Sequence, residues 1–180
     1  MNDYGSLIAN DTIRFERLLP GPIERVWAYL VESDKRGLWL ASGSTSARVG
    51  GAIELNFRNA ELSNGDDRAP EKYCAYENSG RVVGTITQYD PPKVLAYTWS
   101  DADDESKEDS SEVRFELTPH GDRVSLVLTH RRLCADAMTS VAGGWHTHLG
   151  ILEDRLHARE PRPFWRTHTQ LEAEYERRLK

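Results

Sequence analysis

Cysteine is scarce in this chain. Cys74 and Cys134 are the only two in 180 residues; they lie far apart, and neither has the paired spacing of a zinc site. A disulfide framework is excluded, and both read as free thiols. Long apolar runs are missing too, since none approaches the roughly 20 residues that a membrane-spanning helix needs. The N-terminus, MNDYGSLIANDTIRFERLL, has no basic segment followed by an apolar one, so it does not read as a secretory signal and a cytoplasmic address is expected. Basic residues are the minority charge, 23 Lys and Arg against 29 Asp and Glu, for a net charge of −6. That balance argues against general nucleic-acid or acidic-membrane binding, which needs a basic face. Catalytic signatures are lacking as well: there is no G-x-G-x-x-G, P-loop, G-x-S-x-G or H-E-x-x-H.

What is present is periodicity. A chain of this length buries roughly 70% of its unfolded surface, enough for one domain without a metal or disulfide. Thr12–Leu18 alternates Ile13, Phe15 and Arg17 against Arg14, Glu16 and Leu18, the pattern of a strand with one buried face. Ile23, Val26, Trp27 and Leu30 share one helical face, and Pro22 suits the first turn of that helix. Ser33 or Asp34 can cap a second short helix, DKRGLWL, which the Ser42-Gly43-Ser44 turn ends.

Strands at Thr45–Val49 and Ala52–Phe57 flank a Gly50-Gly51 turn, with Ile53, Leu55 and Phe57 on one face. Asn59–Gly80 is polar and long, which marks either a functional flap or a hidden element; Lys72–Tyr76 reads as a short strand within it. Arg81–Tyr89, Val94–Ser100, Glu112–Thr118 and Arg123–Arg131 are four further strands, separated by turn signals, that suggest an antiparallel meander. Gly84 inside a strand signals a bend or a close approach by another group. The acidic run at 101–112 reads as a solvated hairpin loop, the alternative being a docking site for a basic partner.

A long helix over Thr139–Arg159 carries the stripe Val141, Trp145, Leu149, Leu152 and Leu156. A second helix, Phe164–Lys180, follows Pro161-Arg162-Pro163 and repeats Leu171, Tyr175 and Leu179. That narrower stripe either pairs with a second copy or packs back on its own domain. The Gly143-Gly144 pair is expected to allow close packing near the helix start.

The order strand, helix pair, strands, long helix brings specific residues with it. Val26-Trp27, Gly50-Gly51 before a strand, Gly80–Trp99 with Pro91-Pro92 and Leu95, and Gly144-Trp145 followed by Leu149, Leu152 and Leu156 together resemble the START-like (SRPBCC) superfamily. Within it, the chain is similar to the branch related to the activator of Hsp90 ATPase. The resemblance spans about residues 10–157. It implies an α+β helix-grip fold: a curved antiparallel β-sheet wrapped around a long C-terminal α-helix, with two short helices after the first strand. Residues 1–160 would form that domain and 161–180 an accessory helix. The insertion at 59–80 and the helix at 161–180 depart from the family pattern.

In this architecture a cavity often remains between sheet and last helix. Strand parity turns Leu95, Tyr97 and Trp99 to one face, and Leu126, Leu128 and His130 to another. Helical period adds Trp145, His148, Leu149 and Leu152, while Trp27 and Trp39 would close the mouth from the helix pair. Such a lining suits a small apolar ligand, although a plain core needs the same residue types. His146 and His148 are two apart on a helix and point in different directions, so no metal site is expected. His130 or His148 could act as a general base but has no identifiable acid–base partner. The expected function is non-catalytic binding of a small hydrophobic molecule, with no cofactor, by a monomer or homodimer. The alternatives are an interaction module acting on a chaperone or another protein (a co-chaperone or stress-response role) and, further off, a cyclase- or aromatase-like enzyme, as the resemblance implies.

Overall fold

The computed structural model describes residues 3–64, 67–77, 79–103 and 110–179. The strands β1 (Ser6–Ala9), β2 (Thr12–Pro20), β3 (Ala52–Phe57), β4 (Gly80–Asp90), β5 (Val94–Asp101), β6 (Ser111–His120) and β7 (Arg123–Arg131) form one antiparallel sheet in the order β1-β2-β7-β6-β5-β4-β3. Helices α1 (Ile23–Val31) and α2 (Ser33–Arg36) follow β2, and α3 (Ala135–Leu156) and α4 (Phe164–Arg178) close the chain. This is the expected helix-grip arrangement, with one strand, β1, ahead of the first one read from the sequence.

Register explains the core. Phe15, Leu128, Phe115 and Leu95 stand side by side across β2, β7, β6 and β5, and none is more than 1% exposed. The next row inward is Ile13, His130, Val113, Tyr97 and Ile86, apolar except for one histidine. Cross-strand pairs of this kind contribute about 0.2–1 kcal/mol each beyond Ala–Ala. Helix α3 lies on this face, where Trp145 meets Phe115 at 5.8 Å and Trp99 at 5.4 Å between ring centroids. Arg17 shares the inner face of β2, buried, as the alternation requires.

Helix α3 is covered on both sides. Its sheet side buries Met138, Ala142, Trp145, Leu149, Leu152 and Leu156; its far side, with Gly143, Thr147, Gly150 and Asp154, packs under α4 and the chain leading into it. Gly143 permits this, because a Cβ there would lie 3.3 Å from the Glu172 backbone. Asp154 grips Arg162 with both carboxylate oxygens, which fixes the turn into α4. The Tyr175 hydroxyl accepts from the Gly5 N–H at 2.7 Å and meets His146 Nδ1 at 3.0 Å, so the α4 stripe is seated on its own chain.

Several expected elements come out differently. Thr45–Val49 is not a strand: Ser42 and Thr45 make isolated bridges to Asn56 and Ile53. The cause is Arg36, whose buried guanidinium binds the carbonyls of Ala41, Gly43 and Glu54 and the Thr45 hydroxyl, holding 37–45 as a loop. Helix α2 accordingly stops at Arg36 instead of running through DKRGLWL. Lys72–Tyr76 is part of a 3₁₀ helix, Glu71–Tyr76, rather than a strand. Its Tyr73 is drawn to α4, with its hydroxyl on Glu172 at 2.5 Å and its ring stacked on Trp165. Gly84 meets the expectation of close approach, since a Cβ would collide with the Thr98 carbonyl oxygen. Residues 104–109 of the acidic run lie outside the described residues.

Candidate functional site

Where β5 and β7 leave the apolar rows, the sheet and α3 do not fill the space between them. A cavity of about 110 Å³ remains. Its floor is Leu40, His130, Trp145 and His148, all buried, and its rim is Phe57, Trp99, Val141 and Gly144, all partly exposed. Leu40 reaches the wall because Arg36 pins the loop that carries it. Arg155 ties the same region to α3 by donating to the carbonyls of Leu38 and Leu62. Gly144 forms part of the wall by having no side chain, as a Cβ there would meet nothing within 4 Å.

The polar atoms are few and mostly committed to the protein. Trp145 Nε1–H donates to His130 Nδ1 at 2.9 Å, which fixes the neutral tautomer with the proton on Nε2. That Nε2 donates to Ser111 Oγ at 2.8 Å, and Ser111 donates onward to the Trp99 carbonyl. Burial first, then the charge of Arg132, pushes the His130 imidazole down to about 3, so it is neutral near pH 7. Neither nitrogen is left to take a substrate proton. His148 Nδ1 donates to the Trp39 carbonyl at 2.7 Å, which leaves Nε2 as the acceptor of a neutral ring. Burial brings His148 down to about 4, the hydrogen bond to Trp39 opposing it.

Of the residues read from the sequence, Trp99, His130, Trp145 and His148 come together at the cavity. Leu95, Tyr97, Leu128, Leu149 and Leu152 belong to the solid core instead, each 1% exposed or less. Trp27 and Trp39 do not close the mouth: Trp27 packs edge-on against Tyr89, and Trp39 donates to the Tyr29 carbonyl below α1. Phe57, Val141, Leu40 and Gly144 were not read as lining. Phe57 shares a face with Ile53 and Leu55, and Val141 stands in the α3 stripe, so both carried a signal; Leu40 and Gly144 carried none. His146 and His148 diverge, one toward Tyr175 and the other toward Trp39. Among the described residues no group of three or more His, Cys, Asp or Glu side chains is placed to hold a metal. Both cysteines are free and exposed. No helix among the described residues is long and apolar enough to cross a membrane.

A sheet gripping a long helix, with an apolar cavity between them, defines a helix-grip domain of the START-like superfamily. Residues 20–157 match the family described as activator of Hsp90 ATPase homolog 1-like protein, and the chain belongs to that family. It is similar to the protein encoded by gene BPP1335 of Bordetella parapertussis, solved by NMR, at 46% identity and a TM-score of 0.80 over 99% of this chain and 91% of that one. It shares its fold with CalU16 of Micromonospora echinospora (19% identity, TM-score 0.66, 92% and 86% covered). The same holds for a conserved protein of unknown function, EF2215, of Enterococcus faecalis (21%, 0.65, 98% and 90%). No curated protein matches.

Proposed function

We propose that this chain is a non-catalytic binding protein, acting in the cytoplasm, that holds a small hydrophobic molecule between its sheet and α3. The observation that carries the reading is the cavity itself: well-ordered cores leave few voids larger than a water, whereas here about 110 Å³ stays open under Trp145 with an aromatic lining. An apolar cavity of ~150 Å³ in another protein takes up benzene or xenon. Pockets for drug-sized ligands start at roughly 300 Å³, so the occupant is a single ring or a short alkyl group. The commitment of both His130 nitrogens supports binding over general-base chemistry.

Native mass spectrometry of freshly purified protein, compared with the same sample after denaturation, tests the proposal. An added mass lost on denaturation is expected. If the protein carries none and takes up no small aromatic on titration, the proposal fails, and a protein partner, which the family description favours, becomes the better reading.

A further inference from the structure

The polar side-chain atoms on the cavity wall can be followed one by one, and all but one are accounted for. The Trp145 N–H and both nitrogens of His130 are engaged in a closed relay to Ser111 and the Trp99 carbonyl. Trp99 stands at the partly exposed rim, and its N–H is not one of the buried unpaired atoms. His148 differs. Its Nδ1–H is held by the Trp39 carbonyl, and its Nε2 makes no hydrogen bond among the described residues; the residue is only 6% exposed, and Nε2, not one of the fully buried unpaired atoms, keeps accessible surface where the ring lines the cavity. The ring cannot turn over to hide that nitrogen without giving up the Trp39 bond. Phe57, Trp145 and Phe164, whose centroids lie 5.9, 6.4 and 4.8 Å away, surround it with rings that offer it no free donor, the Trp145 N–H being given to His130.

We infer that His148 Nε2 is an acceptor kept for the ligand, so that the cavity selects a small ring bearing one hydroxyl or N–H donor, a phenol rather than a hydrocarbon. The inference rests on the proposed reading that the cavity binds a ligand. An acceptor that a ligand covers and leaves unmet is penalised more heavily than a met one is rewarded, so selectivity arises from what a hydrocarbon fails to supply. In the empty site a water can serve Nε2; a ligand that displaces it must replace its hydrogen bond or lose affinity. Ligands with acceptors only, ethers and carboxylates among them, set lone pair against lone pair and are disfavoured. The depressed basicity of His148 agrees with this role, because it keeps Nε2 unprotonated at neutral pH.

The test compares phenol with toluene, which match in shape and differ at hydroxyl against methyl. In the wild-type protein phenol is expected to bind about tenfold or more tightly than toluene, and the ¹⁵N resonance of His148 Nε2 should shift with phenol but not with toluene. In His148→Phe the preference for phenol should be lost or reversed, because its hydroxyl then has no acceptor while toluene loses nothing. Equal wild-type affinities, or phenol binding with no Nε2 shift, would overturn the inference while leaving the cavity reading intact. If neither probe binds the wild type, the cavity reading falls and takes the inference with it. The ¹⁵N measurement uses unaltered protein, so it decides the matter even if His148→Phe does not fold.

Discussion

Arg36 and three histidines show how individual residues set the site. Arg36 is 1% exposed and faces carbonyls and a hydroxyl rather than a carboxylate, so burial lowers its pKa without an ion pair to restore it. A buried charge of this kind is tolerated only when its donors are met, and meeting them fixes the 37–45 loop and therefore Leu40. His130, His146 and His148 are pushed to about 3, 4 and 4, in each case chiefly by burial. They stay neutral in the folded chain at pH values where the unfolded chain, titrating near about 6.5, takes up protons. Above that pH they leave stability unchanged; below it the unfolded state binds more protons, so stability falls as pH falls toward about 4, by up to about 1.4 kcal/mol per pH unit per histidine. Urea midpoints should therefore drop between pH 6.5 and pH 5, before the carboxylates titrate. A midpoint that is flat over that interval would show that these rings are not buried as described.

At the scale of elements, the two adjacent glycines of α3 have opposite reasons for being there. Gly143 lets α4 approach, with the Glu172 backbone 3.3 Å from where a Cβ would lie, while Gly144 faces open space at the cavity rim. Gly144→Ala should raise stability by about 0.8–1 kcal/mol through helix propensity alone. Gly143→Ala should gain clearly less, since α4 must move; equal gains in thermal denaturation would contradict the packing. The close packing at Gly143 is what the sequence led one to expect of the pair; the open space at Gly144 is not, since a Gly-Gly pair announces only that side chains are absent. Other elements failed to be legible for reasons outside their own sequence. Lys72–Tyr76 has the look of a strand, but Glu172 and Trp165 on α4 claim Tyr73. The start of α3 was read at Thr139 because Ala135–Ala137 are largely solvent-facing and add nothing to the apolar stripe.

For the whole molecule, the fold was legible because it is written in two periods, the alternation of β2, β6 and β7 and the stripe of α3. The same periods brought Trp99, His130, Trp145 and His148 to one place. They say which side chains face inward but not where the inward space stays empty. That depends on how far the sheet stands from α3, and so Leu95, Leu149 and Leu152 fell in solid core although their parity is right. The insertion and α4 complete the assembly from outside the common pattern: Asp67 caps α4 by accepting from the Trp165 and Arg166 backbone N–H groups. Intermolecular NOEs from bound phenol test the central claim most directly, because they report position as well as affinity. Occupancy of the cavity predicts contacts to the methyl groups of Val141 and Leu40 and to the rings of Phe57 and Trp145. NOEs confined to residues elsewhere on the surface, with none to Val141 or Leu40, would contradict it.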